Sequence, residues 1–332
     1  MIDSSTDARA TQRQQLVAEV EHWRRAARQL TDLDLVAAPE AWTRLEQYVG
    51  GALRQRLHTI AAALDREAAE LSGALRRLPA PASSGDDGGA GDGERSELAM
   101  FRRRLLDLRR RYLRAETIVE FFGDAVNTRT DEGLGGVLRG LDVLATDSMQ
   151  VVLRPLGLEA PPVITYVDKG LGASILRSGV RLWDRGSESP VAMIKITRHN
   201  LGYPTALLHE TGHQVFHQAR WVPELADALR AELLPVSAHA AETWASWASE
   251  LAADVHAFAL AGYAPVPALA NVVDGTTRRV FTMPFGDPHP FGWIRVMFNV
   301  ALCRSWYGPG PWDRLERVWM QRHRPEGADR DA

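Results

Sequence analysis

The chain has 332 residues, 45% of them hydrophobic, a formal net charge of −3 and a single cysteine, Cys303. That length suits two domains, or one domain with a helical extension, and the hydrophobic content is ordinary for a folded protein. The charge balance argues against a general polyanion binder, so nucleic acid is not an expected partner, and one cysteine excludes both an intramolecular disulfide and a cysteine metal site and points to a reducing compartment.

The opening residues, Met1 to Arg9, contain no basic region followed by an apolar run, and no window of about 18 uncharged apolar residues occurs along the chain. The expectation is therefore a cytoplasmic protein, or one exported without a cleaved signal, with no membrane span. Leu16, Val20, Trp23, Ala27 and Leu30 form a helical seam, and Asp32 to Pro39 offers a turn into a second helix. A longer seam follows in Trp42, Leu45, Val49, Leu53, Leu57, Ile60, Leu64, Leu71, Leu75 and Leu78, spaced mostly by three and four. Residues 79–94, rich in Pro, Ala, Ser, Gly and Asp, break the pattern and read as a flexible linker. Leu98, Phe101, Leu105, Leu108, Tyr112 and Phe122 then resume it, so the linker joins two long helices of one bundle. Arg102 to Arg104, Arg109 to Arg111 and Arg114 make that helix basic; a solvated face is the favoured reading over a site for acidic partners or phosphates. Residues 1–124 are thus read as a helical bundle or coiled-coil hairpin, open to a protein partner.

A further helix is expected from Leu134 to Leu153, ended by Pro155. Val163 to Val167, Gly179 to Trp183 and Val191 to Thr197 are rich in β-branched and aromatic residues and read as a small antiparallel sheet. Gly170 and Gly172 do not complete a dinucleotide fingerprint, because Ile175 occupies the third glycine position.

The sheet leads into Leu207-Leu208-His209-Glu210-Thr211-Gly212-His213-Gln214-Val215, an H-E-x-x-H pattern in an apolar helical run that Pro204 can open. His209 and His213 lie one turn apart on one face, close enough for each to give a ring nitrogen to a single tetrahedral Zn²⁺. Glu210, rotated by about 100°, is kept out of the ligand set but beside an open metal position, where it can take a proton from water. His217 continues the row but lies about 12 Å from His209 along a straight helix, too far to share an ion. The metzincin continuation is absent, since Phe216 and Ala219 stand where it needs Gly and His.

A catalytic zinc needs a third protein ligand. Residues 241–261 read as one apolar helix in which Glu250 and Asp254 stand one turn apart; a metal gives those buried carboxylates a reason, Glu250 binding it while Asp254 accepts the remaining N–H of a ligand histidine. Glu242 has Ser246 at the equivalent offset and cannot fill both roles. Without the preceding helix the pair would be a polar stripe. Further on, Asp287-Pro288-His289-Pro290 is a stiff turn at a helix entrance, suited to fix a donor facing a pocket, with Tyr203 and His256 as substitutes and a helix-capping surface turn as the alternative. Trp293, Trp306, Trp312 and Trp319 read as core anchors.

His209-Glu210-x-x-His213 followed by Glu250-x-x-Ala253-Asp254 resembles the gluzincin metallopeptidases, the thermolysin-like clan. His289-Pro290 with Arg295 resembles the His-Pro…Arg segment of its CAAX prenyl protease branch, without that branch's membrane helices; the likeness spans roughly residues 190–300. It implies that His289 stabilises the oxyanion with Arg295 as its partner, and that the strand before the zinc helix borders the cleft and pairs with an extended substrate through a free edge.

The expectation is an α+β, mainly α, zincin-like domain over residues 125–332 behind the helical bundle. It is expected to hold one Zn²⁺ per chain on His209, His213 and Glu250 and to hydrolyse a protein or peptide with Glu210 as general base. Two rivals are a binding protein that uses the zinc fold as a scaffold, and a zinc hydrolase of a non-peptide bond.

Overall fold

The computed structural model describes residues 4–43, 47–78, 90–170, 172–182, 188–284 and 286–324. The chain divides into two compact units, residues 1–130 with 179–190, and residues 131–178 with 191–332.

The first unit is built on three long helices, α1 (Ser4–Thr31), α3 (Gln47–Arg76) and α4 (Ala90–Asn127), with the short α2 (Pro39–Thr43) between the first two. Each long helix packs on the other two. Leu16, Val20, Ala27 and Leu30 of α1 meet Leu57, Leu64, Leu71 and Leu75 of α3 and Leu98, Leu105, Leu108 and Phe122 of α4 in a buried core, which is what the three-and-four spacing dictates. Trp42 belongs to α2 and not to the long α3, so the seam is interrupted there, and Leu45 lies outside the described residues. Of the linker, residues 79–89 lie outside the described residues, while residues 90–94 are not linker but the start of α4.

The second unit opens with α5 (Glu132–Leu153), whose N-terminus is capped by Asp131: its Oδ1 accepts the Leu134 N–H at 2.7 Å. Pro155 ends the helix through a single 3₁₀ turn. Three strands follow, β1 (Val163–Val167), β2 (Ser174–Leu176) and β3 (Ala192–Ile196), in the order β1-β3-β2.

The sheet is mixed, not antiparallel: β1 runs parallel to β3, and β2 antiparallel to it. Its second strand is Ser174–Leu176, not Gly179–Trp183. Gly179 takes a φ of +78°, and residues 179–180 spend their backbone groups on Ser189 in a local hairpin, so they have none left for the sheet; Trp183 lies outside the described residues. Because β3 is central, the edge expected to be free for a substrate is covered on both sides, and the edge strands are β1 and β2. Ala192, Ile194 and Ile196 of β3 pack with Leu138, Leu141 and Met149 of α5 into the core.

The remainder is helical: α6 (Thr205–Gln218), α7 (Trp221–Leu233), α8 (Ala238–Ser246), α9 (Ala248–Ala261), α10 (Pro265–Val273), α11 (Thr277–Val280), α12 (Gly292–Tyr307) and α13 (Pro311–Arg322). The single helix expected over 241–261 is two helices broken at Trp247, which takes φ −90° and ψ 0°. The Ser246 hydroxyl donates to the Thr243 carbonyl at 2.6 Å, a local bond that competes with helix continuation, and the Trp247 ring is buried at the corner. Trp312 and Trp319 are core residues and Trp293 is half-buried, but Trp306 is 61% exposed and touches only the edge of Phe258 among the described rings. No helix among the described residues is long and apolar enough to cross a membrane.

α6 lies directly on α9, and Gly212 makes this possible. A Cβ at Gly212 would stand 2.8 Å from Ala253 Cα, 2.9 Å from His256 Cβ and 3.2 Å from Ala253 O. Two of these are sub-contact distances, one of them to rigid backbone. Gly212→Ala is expected to destabilise the protein by about 1–3 kcal/mol, the usual cost of overpacking. A denaturant titration with an unmoved midpoint would show that the helices do not meet there.

Candidate metal centre

α6 presents His209 and His213 from consecutive turns, their rings edge to face with centroids 4.8 Å apart. The break at Trp247 restarts the chain as α9 with Glu250 in its first turn, where the positive end of the helix favours a carboxylate. His209 Nε2 stands 3.4 Å from Glu250 Oε2, and His213 Nε2 3.3 Å from Glu250 Oε1. One ligand atom from each of the three residues lies within 4.8 Å of the others, and the group could hold a metal ion.

The far side of each imidazole is held. His209 Nδ1 is 2.9 Å from Asp254 Oδ1, and His213 Nδ1 is 3.1 Å from Ser249 Oγ. Both rings therefore turn Nε2 inward. Asp254 is itself fixed by α12: Arg295 donates through Nε at 2.9 Å and Nη2 at 2.8 Å, and Asn299 Nδ2 donates at 3.0 Å. Arg295, expected beside His289, is thus occupied by Asp254, with Nη2 also 3.3 Å from Glu250 Oε2. His289 stands on its turn half-exposed, its Nδ1 2.5 Å from Asp287 Oδ1 and its Nε2 3.3 Å from Glu250 Oε2.

Two observations fit a divalent cation. Glu250 Oε2 is buried without a hydrogen bond, although His209, His289 and Arg295 nitrogens surround it. Three buried carboxylates, Glu210, Glu250 and Asp254, crowd around Arg295 and His209, so the carboxylates outnumber these two cations, and a divalent ion would offset the excess.

The environment separates the titrating groups. Burial works to lower His209, but the Asp254 and Glu250 carboxylates beside it outweigh that and raise it to about 9. Burial and the neighbouring His209 charge lower His213 to about 4. Burial works to raise Glu250 and Asp254; His209, His213 and Arg295 bring Glu250 down to about 2, and Arg295 with His209 holds Asp254 far below the usual carboxylate range. Glu210, which lacks such close partners, is raised by burial.

His209, Glu210, His289 and Arg295 line a cavity of about 440 Å³, whose apolar wall includes Leu269, Val272 and Phe291. Gly172 and Ala173, just before the edge strand β2, line it as well. Of the other candidates, His217 is exposed, Tyr203 is 75% exposed, and Glu242 pairs with Arg230. His256 is buried behind α6 against Thr211 Oγ1 at 3.3 Å. Sequence reasoning missed Ser249 and Asn299. Asn299 left a signal, a polar residue one turn after Arg295 on the same helix; Ser249 left none.

Compared with known proteins, the chain matches no family model, no curated protein and no solved structure.

Metal uptake should release protons. With His213 at about 4 and His209 at about 9, one proton must leave His209 Nε2 near neutral pH. Apparent Zn²⁺ affinity is expected to rise about tenfold per pH unit from about pH 5 to about pH 9, then flatten. The raised His209 also contributes stability to the metal-free fold below its unfolded pKa of about 6.5, lost as pH rises through 9. Calorimetry in buffers of different ionisation enthalpy reads the proton count; a pH-independent affinity would mean that His209 is not a ligand.

Proposed function

We propose that the protein is a zinc-dependent metallopeptidase with a zincin-like catalytic unit. The observation that carries this reading is the placement of Glu210: its carboxyl shares one cavity with His209, beside the three-residue ligand set but outside it. Two histidines and a carboxylate are a donor set that suits zinc at a catalytic site with one open position. When bound by His209, His213 and Glu250, the ion would supply Lewis acidity towards water and a carbonyl oxygen.

The remaining chemistry belongs to the chain. Glu210 accepts a proton from the attacking water and returns it to the leaving amine, a shuttle helped by the burial that raises its proton affinity towards working pH. Asp287 holds His289 by Nδ1, which leaves Nε2 turned towards the site, where an N–H at that position would donate to an oxyanion. Arg295 and Asn299 anchor Asp254, and Asp254 keeps His209 in the tautomer that leaves Nε2 free. An extended peptide would enter along β2, whose outer edge pairs with no strand among the described residues and whose approach, Gly172 and Ala173, lines the cavity.

Glu210→Gln is expected to keep the fold and the metal while losing nearly all hydrolysis of a peptide library, because an amide cannot accept the proton. A biological activity that survives intact in this variant would favour the scaffold reading. His289→Phe should lower kcat by roughly 10²–10³ with metal retained, the usual cost of an oxyanion donor; an unchanged kcat would give that role to another residue.

A further inference from the structure

The arginine-rich stretch of α4 takes no part in the metal centre. Between Arg102 and Arg114 it carries seven arginines, at 102–104, 109–111 and 114, against one acid, Asp107. Phe101, Leu105, Leu108 and Tyr112 are buried in the bundle, which fixes the opposite face as the outward one. At 100° per residue, Arg103, Leu106, Arg110 and Leu113 fall within an outward arc of about 80°. Leu106 and Leu113 are each 45% exposed there. The neighbouring helices flank this face without covering it: Arg109 lies over the Trp23 ring of α1 at 5.6 Å, and Arg111 pairs with Glu67 of α3. Arg110 pairs with Asp107 one turn away, whereas Arg102, Arg103, Arg104 and Arg114 have no acidic partner among the described residues.

A face serving solubility alone would gain nothing from leucines at its centre. A second copy of the chain would bring two arginine fields together. Nucleic acid would use the arginines but not the leucines, and a partner helix would need a groove, whereas this is a single ridge. An anionic bilayer uses both residue types at once, phosphates taking the guanidinium groups while the leucines enter the acyl boundary. We propose that the outward face of α4 docks the protein on anionic lipid membranes. The proposal is independent of what the metal centre does.

The test is co-sedimentation of the full chain with phosphatidylcholine vesicles, with and without phosphatidylserine, at low and high salt. Binding is expected only with phosphatidylserine and should weaken with salt. The variant R103Q/R110Q/R114Q should lose on the order of 100-fold in partitioning, at roughly fivefold per arginine. L106S/L113S, whose charge is unchanged, should lose roughly tenfold. All five positions face solvent, and thermal unfolding confirms that the variants fold. Absence of binding to phosphatidylserine vesicles would overturn the proposal. So would a leucine variant that binds them like the wild type, and if the arginine variant then loses affinity for duplex RNA, the face is a polyanion site. Tighter binding of an acidic amphipathic peptide than of vesicles would assign it to a protein partner.

Discussion

The closeness of α6 to α9 at Gly212 and Ala253 is the constraint on which the candidate metal centre rests. His213 is the next residue along α6 and Glu250 lies one turn before Ala253 on α9, so any separation of the two backbones at this crossing moves both ligands apart. Glycine against alanine lets the two backbones approach closely enough for ligand atoms from both helices to lie within 4.8 Å of one another. Leu207 and Val215 of α6 are fixed in the core formed with α5 and the sheet, and Leu251 and Ala252 of α9 are buried as well, so neither helix is free to shift.

The second layer of control is electrostatic. Asp254 is the point where histidine, arginine and asparagine meet; Arg295 and Asn299 are buried and His209 is partly so. A carboxylate satisfied on both oxygens in this way has no remaining freedom, and the imidazole it holds inherits that rigidity. Glu210, with no comparable set of donors, keeps a proton affinity that its neighbours Glu250 and Asp254 have lost. Three carboxylates within one small region thus acquire different properties from their partners alone.

What was legible in the sequence was local. His209 with His213, and Glu250 with Asp254, are one-turn relations within a helix, and the spacing of apolar residues marks the three long helices of the first unit for the same reason. What was not legible depends on the path of the chain. The alternation in β3 is the same whether its neighbours run parallel or antiparallel, so the sheet's direction and its edge strands could not be read from it. Tryptophan is neutral enough within a helix that nothing in residues 241–261 marked the break at Trp247. Arg295 was singled out with His289, yet its main partner, Asp254, lies 41 residues away in sequence, and Ser249 and Asn299 matter only through partners on other segments.

The dependence of the centre on α12 sets an order of assembly. Arg295 reaches His209 across 86 residues of chain, and Asn299 reaches Asp254 across 45. A growing chain that has just released α6 and α9 from the ribosome holds both histidines and Glu250, but Asp254 still lacks three of its four donors. The imidazole of His209 is then free to rotate, and the buried carboxylates are uncompensated. Until α12 arrives, the nascent protein has the three candidate ligands without their orientation, so any metal capture by this group is deferred until α12 has folded onto Asp254.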